Sequence, residues 1–441
     1  MQFVPATGID ERDEGRTVRT RVMWGARSLR RFEGPVSVLL GAVVAGLGGL
    51  VTTWAVSRWA GPADYAVFGA FWSATFLLIG CLAGVQQEIT RATATAAPAR
   101  RAGARGLGTL RLVLGIAALA ALFIVGSFTF WGPRAFGNDH WALFPALLFA
   151  VLCYVPVALV NGSLAGSGRW RALGAMFSMD ALLRLLCIGI CLALGGGPIA
   201  LAWAIALPIP VALAIVLLGM RDLSPLHRTL AEGARTIFWN VLRTMIASVG
   251  SAILVTGFPV MLTLFANGTS KAVLGTVILA ITITRAPLLM PLSAFQSYLV
   301  VFFHNALSRA RQWRSLLALS GLVAAAAVVL AWAGSSVGPQ AFQIAFGSSY
   351  KLAGPVLGLL VLGGGSVALL YLSGPFALAR NRHGVYAAGW LTATVVALLL
   401  LTLDLSLPLR ASLSLCIGPL VGFVVHIAGL LATGGKGQEE T

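Results

Sequence analysis

An arginine at position 285 stands inside the apolar run AITITRAPLLMP (280–291), and prolines follow it at 287 and 291. A guanidinium is permanently charged, and its forked N–H donors can grip two oxygens of a phosphate at once. A charge at membrane depth costs about 2.5–3.5 kcal/mol on insertion scales, so such a group turns toward a cavity or a partner. Two uses fit Arg285: a ligand for an anion, or a tie to backbone carbonyls freed by Pro287 and Pro291. Arg243 stands in the preceding apolar run. At about 1.5 Å rise per residue, Arg243 falls roughly 10 Å in from one end of its span and Arg285 roughly 20 Å in from the other end of the next. In a hydrocarbon core ~30 Å thick these are similar depths. Two guanidiniums at one level on neighbouring helices make a cationic patch suited to phosphate. Snorkelling of Arg243 to the nearer interface is the alternative.

Other ionisable and polar residues fall into small groups. Asp180 and Arg184 are four apart, so on a helix they share a face and neutralise one another as a structural ion pair. Gln86, Glu88 and Arg91 close one apolar run, where they either meet a polar headgroup or terminate the helix. Gln296 and His304 follow Arg285 and extend a polar track, with His304 near the interface. His426 reads as a lone neutral histidine bonded to backbone. The five cysteines lie within apolar runs, and no CxxC pair exists. Cys187 and Cys191 are one helical turn apart, but no His or carboxylate joins them at ligand spacing. Packing cysteines are expected, with no metal and no cofactor.

The elements that must position these groups are membrane helices. Of the 441 residues, 58% are hydrophobic and 10% charged, against about 25% charged in a soluble domain. The apolar residues come in blocks of bilayer-spanning length. A hydropathy walk gives twelve spans, near 34–57, 65–88, 107–130, 141–161, 172–194, 198–219, 236–265, 272–304, 316–334, 352–379, 384–403 and 409–432. The expected fold is therefore an all-α polytopic membrane protein. Its parts are a basic N-terminal arm (1–33), an N-lobe (34–219), a linker (220–235), a C-lobe (236–432) and a short tail (433–441). The arm lacks a secretory-signal pattern. Its segment TRVMWGARSLRRF (20–32) either lies flat on an anionic membrane surface or is disordered.

The net charge of +17 raises the question of nucleic acid, and its distribution answers against it. With the N-terminus in the cytoplasm, 23 of the 31 Lys and Arg residues fall on that side and 5 on the other; Arg184, Arg243 and Arg285 lie within spans. This is the positive-inside pattern. It places both termini in the cytoplasm and gives the basic loops anionic lipids as partners.

The halves repeat weakly. Ala66 and Gly69 match Ala272 and Gly275 at an offset of 206, and NGSLAGSGRWRALGA (161–175) is similar to SGPFALARNRHGVYAA (373–388). Six spans per half keep both halves in one orientation, so two lobes would frame a central cavity. SRWAGPADYAVFGAFWSATFLLIG after the first span, GVQQEITR (84–91), AFGSSYKLAGPVLGLLVL (345–362) and FALARNRHGVYAAGWLTATVVALLL together resemble the Wzx-like family of polysaccharide and oligosaccharide-lipid flippases. That family belongs to the multidrug/oligosaccharidyl-lipid/polysaccharide exporter superfamily. The resemblance implies two six-helix lobes, alternating access, a bacterial plasma membrane and export of a lipid-linked sugar. It leaves other polysaccharide-assembly membrane proteins open as partners. The first span departs from the lipid II flippases in carrying no basic residue, which argues against lipid II as substrate.

Three functions fit this sequence to different degrees. A flippase would carry a polyprenyl-pyrophosphate-linked oligosaccharide outward, with Arg285 and Arg243 on the pyrophosphate and Gln86, Glu88, Arg91 and Gln296 lining the approach. A cation-coupled multidrug antiporter of the same superfamily would need buried carboxylates, and only Asp180 and Glu88 offer themselves. A membrane glycosyltransferase or polymerase would need acids or a large outer loop, yet the longest, near 335–351, has no acidic residue. No phosphate-binding glycine loop ending in Lys-Ser/Thr is present. The chain is expected to be a transporter and not an enzyme. Proline and glycine at 208/210, 257/259, 287/291 and 374/375 mark places where helices can bend.

Overall fold

The computed structural model describes residues 12–94, 106–137, 140–220, 234–304, 309–380 and 382–432. Every element among them is helical: α1 (Arg12–Cys81), α2 (Ala83–Ala94), α3 (Gly106–Phe136), α4 (His140–Gly166), α5 (Trp170–Ala193), α6 (Pro198–Ala206) and α7 (Pro208–Gly219), then α8 (Ala234–Ala252), α9 (Phe258–Leu264), α10 (Lys271–His304), α11 (Arg309–Ser336), α12 (Gly338–Phe346), α13 (Gly354–Ala379), α14 (His383–Leu400) and α15 (Leu407–Ala432). Backbone polar groups have no water partner in hydrocarbon, and helices satisfy them internally. The basic segment 20–32 belongs to α1 and so runs straight into the first span. Residues 1–11, most of the linker and the tail 433–441 lie outside the described residues.

Among the described residues, ten helical segments are long and apolar enough to cross a bilayer, and Thr236–Leu264 adds an eleventh, bent by 43°. The first of the ten, Val36–Ala94, has 59 residues. As one rod it would be about 90 Å long, some three bilayer cores. It turns instead at Gly61, whose φ of 72° is a left-handed conformation that residues with a Cβ seldom adopt. The turn makes two spans of one segment and brings the total to the twelve read from the sequence.

The spans gather into two halves. In the first, α1 packs on α5, α2 on α4, and α5 on α7; in the second, α13 packs on α10, α11 and α15, and α14 on α15. In α13 three consecutive glycines each admit a different neighbour. A Cβ on Gly363 would press Leu415 of α15, on Gly364 Arg285 of α10, and on Gly365 Ala327 of α11. Large apolar side chains cover the outside, with Leu218 87% and Phe130 75% exposed. That surface belongs against acyl chains.

The halves meet along the second span, which packs on α8, α9 and α10. At the end remote from the basic loops the approach is close: a Cβ on Gly275 would sit 1.9 Å from the Pro62 carbonyl oxygen, and one on Gly69 2.6 Å from Ile278. The two copies of the Ala-x-x-Gly repeat thus pack against each other. Beside them Tyr350 donates to the Ser57 carbonyl at 2.9 Å, Trp54 donates to that of Ala345 at 3.0 Å, and Tyr65 meets the Tyr350 ring edge-on. At the basic-loop end a Cβ on Gly84 would be 2.5 Å from the Met245 nitrogen.

Candidate functional site

The centre of the seam is built on a break in span seven. Pro259 has no N–H, so it cannot serve the carbonyl four residues back, Val255, in an α turn or the one five back, Leu254, in a π turn. The backbone there is a π turn, Ile253–Gly257, a local widening often found at functional positions. Side chains from two neighbouring spans fill the gaps. Arg285 of α10 donates through Nη1 to the Leu254 carbonyl at 2.9 Å and to that of Val255 at 3.5 Å. Ser73 of the second span donates to the Thr256 carbonyl at 2.6 Å and accepts from the Val260 N–H at 3.0 Å. One hydroxyl thereby bridges the Thr256 carbonyl and the Val260 N–H across the break.

A chamber of about 430 Å³ opens beside this break. The first half contributes Gly49, Thr53, Phe68, Trp72, Phe76 and Asp180 with Arg184, among others; the second contributes Thr256, Pro259, Thr282, Arg285 and Tyr371. Arg285 is 5% exposed. Its guanidinium lies 5.3 Å from the Phe258 ring centroid, and its Nε and Nη2 have no hydrogen-bond partner among the described residues. Arg184 is 8% exposed. It donates through Nη2 to Asp180 and lies over Phe76 at 4.9 Å and Trp72 at 5.5 Å, and its Nε has no such partner. Among the described residues that line it, the chamber thus holds two guanidiniums and one carboxylate, a net positive charge.

The residues expected at the site divide. Arg285 lines the chamber, and its backbone tie runs to carbonyls freed by Pro259, not by Pro287 or Pro291 in its own helix; α10 runs unbroken past Pro287. Arg243 is exposed and does not line the chamber. The guanidinium that shares the chamber with Arg285 is Arg184, together with Asp180. Glu88 and Arg91 sit at the basic-loop end of the seam instead. Arg91 grips Glu88 with Nε at 3.0 Å and Nη2 at 2.6 Å, and Asn240 of α8 donates to the same carboxylate at 3.1 Å, so the cluster bridges the halves. Gln86 is two residues before Glu88, and its backbone carbonyl lies against Gly162 of α4. Gln296 belongs to α10, but its side chain and that of His304 lie outside the described residues. His426 is fully buried; its Nε2 meets the Tyr386 carbonyl at 3.0 Å and its Nδ1 the Ser373 hydroxyl at 2.7 Å. Among the described residues no three His, Cys, Asp or Glu side chains are grouped to hold a metal.

No family model matches the sequence. Among solved structures, an inward-facing MATE multidrug transporter of the MOP superfamily superposes with a TM-score of 0.67 at 15% identity, over 93% of this chain and 99% of that one. An outward-facing MATE structure gives 0.60 at 16% identity, over 92% and 97%. A MOP superfamily transporter from Pyrococcus furiosus Vc1 (DSM3638), described as having a binding pocket of reverse polarity, gives 0.51 at 15%, over 91% and 95%. These likenesses identify the fold. Sequence relatives are closer. The uncharacterized protein Rv3630 of Mycobacterium tuberculosis H37Rv is 35% identical over 405 residues, 89% of this chain and 90% of that protein. A second protein of that strain, Rv1510, is 33% identical over 374 residues, 84% and 85% of the two chains. At that identity, sustained over nearly the whole length, the chain belongs to the same family as Rv3630 and Rv1510.

Proposed function

We propose that the protein is an alternating-access flippase. It would move a polyprenyl-pyrophosphate-linked oligosaccharide from the inner to the outer leaflet of a bacterial plasma membrane, with both termini in the cytoplasm. The observation that carries this reading is Arg285: a buried guanidinium lining a chamber between the two halves, pinned at Nη1 and with no partner for Nε and Nη2 among the described residues. Such a group is oriented before any ligand arrives and favours an anion with several oxygens. The lipid tail stays in the bilayer while the polar head crosses through the chamber. With the interior negative, each negative charge moved outward gains about 2.3 kcal/mol per 100 mV.

A multidrug antiporter would be favoured by an acidic pocket. Asp180 is the one acid among the described residues that line this chamber, and Arg184 already pairs with it. The reverse polarity of the binding pocket described for the Pyrococcus transporter suggests a different function for that protein, which is compatible with a pocket of this fold that is not acidic. Reconstitution decides between the two. Proteoliposomes carrying a fluorescent polyprenyl-diphosphate-linked sugar should show protein-dependent movement of the probe away from an impermeant quencher. Ion-driven efflux of a cationic dye, with no movement of the lipid-linked sugar, would establish the antiporter instead.

A further inference from the structure

We infer that Arg184 is a second anion-binding residue, one per half with Arg285, and that Asp180 is the counter-ion it gives up when a ligand with two adjacent phosphoryl groups enters. This deepens the reading of the chamber as an anion site and rests on it. Several observations converge on Arg184. It lines the same chamber as Arg285 but from the opposite half. It is 8% exposed, and its buried Nε has no partner among the described residues. Its guanidinium is held by Phe76 and Trp72, which engage the cationic π face and leave in-plane N–H donors for a ligand. An arginine whose only task was to neutralise Asp180 would turn more of its fork toward that carboxylate. Here one nitrogen, Nη2, makes the contact.

Asp180 fits the part of a replaceable partner. Its side chain is 29% exposed, against 10% for Arg184, so the acid is the wetter and more easily rehydrated member. Arg285 is built similarly: an aromatic ring lies 5.3 Å from its guanidinium, Nη1 is committed to the Leu254 carbonyl, and Nε and Nη2 have no partner among the described residues. Two pre-oriented forks facing one chamber from opposite halves suit a diphosphate, one phosphoryl group to each. A monophosphate engages Arg285 alone. A ligand held from both sides also ties the halves together, so its binding energy differs between the state that brings both arginines to it and states that do not. That difference is what a ligand must supply to shift a conformational equilibrium.

The test uses the full-length chain in detergent, with farnesyl diphosphate and farnesyl monophosphate as probes and thermal stabilisation plus direct titration as readouts. The wild type should bind the diphosphate at least tenfold more tightly than the monophosphate. Arg184→Gln should bring the diphosphate down to the monophosphate's affinity and leave the monophosphate unchanged, whereas Arg285→Gln should weaken both. Asp180→Asn removes the competing carboxylate and should tighten diphosphate binding several-fold, and it reports even if Arg184→Gln fails to fold. Diphosphate binding unchanged in Arg184→Gln, or not tightened in Asp180→Asn, would overturn the role of Arg184 while leaving the anion site standing. A wild type that binds neither probe would overturn the anion site and this inference with it.

Discussion

Arg285 and Leu254 are joined across two spans by a 2.9 Å hydrogen bond from Nη1 to the backbone carbonyl. The bond exists because Pro259 leaves that carbonyl without a helix partner. The arginine is thus divided between two tasks. One nitrogen completes the backbone of span seven, and Nε and Nη2 stay buried with no hydrogen-bond partner among the described residues, on a side chain that lines the chamber. The same bond that relieves a buried carbonyl also fixes where the charge points.

Removal of the side chain tests both tasks. Arg285→Ala should abolish export, since loss of a hydrogen bond to a charged group costs about 1.5–3 kcal/mol, roughly a 10- to 150-fold loss of affinity. Arg285→Lys keeps a charge but not the fork, and should lose less. Membrane abundance of both variants should stay near normal, because the space left by the shortened side chain would let water from the chamber replace the lost donor at the two carbonyls. Surface polysaccharide normalised to protein level is the measurement, and near-normal export by the alanine variant would sink the assignment.

Pro259→Ala separates anchoring from charge. The new N–H can bond to the Leu254 or Val255 carbonyl, and Arg285 then loses its tether although it keeps its charge. Export should fall severalfold while thermal stability is unchanged or higher. A variant that exports normally would show that the tether does not orient the guanidinium.

Ser73 carries a prediction of the opposite kind. Its hydroxyl serves both the Thr256 carbonyl and the Val260 N–H, so Ser73→Ala removes that partner from both, at about 1–3 kcal/mol for a group left buried and unpaired. A lower melting temperature and lower yield are expected, with partial recovery in Ser73→Thr, which keeps the hydroxyl. Unchanged stability of the alanine variant would mean that the break closes by itself.

The sequence made much of this legible. Apolar block lengths gave all twelve spans because lipid imposes one length on every helix. The Ala66/Gly69 and Ala272/Gly275 match read as duplication of the halves, and only the fold shows the two copies packed against each other. Arg285 was visible because an arginine amid apolar residues has few explanations. Arg184 was not, because its i,i+4 spacing to Asp180 suggested complete neutralisation. Only the fold brings Trp72 and Phe76 against it and turns both into the chamber. The i,i+4 spacing of those aromatics on the second span was the one available sign. Arg243 misled for the complementary reason: depth along a helix is readable from sequence, but the face it occupies depends on which neighbour covers it. Ser73 carried no mark at all, since a lone serine in an apolar span is ordinary until the opposing proline is located in space.

The two ends of the seam predict opposite conformational shifts. Gly275 and Gly84 each leave no room for a side chain at the lobe contact, Gly275 at the Pro62 end and Gly84 at the basic-loop end, where Asn240 also reaches Glu88 across the halves. Alternating access requires one end to part while the other stays closed. Gly275→Ala should therefore disfavour closure at the Pro62 end and populate the state open there. Gly84→Ala, or Asn240→Ala acting more weakly, should populate the state open at the basic loops. Single cysteines read this out: one at Tyr65 should react faster with an impermeant maleimide in Gly275→Ala, and one at Met245 faster in Asn240→Ala. Equal changes at both positions in either background would show that the seam does not divide into two gates.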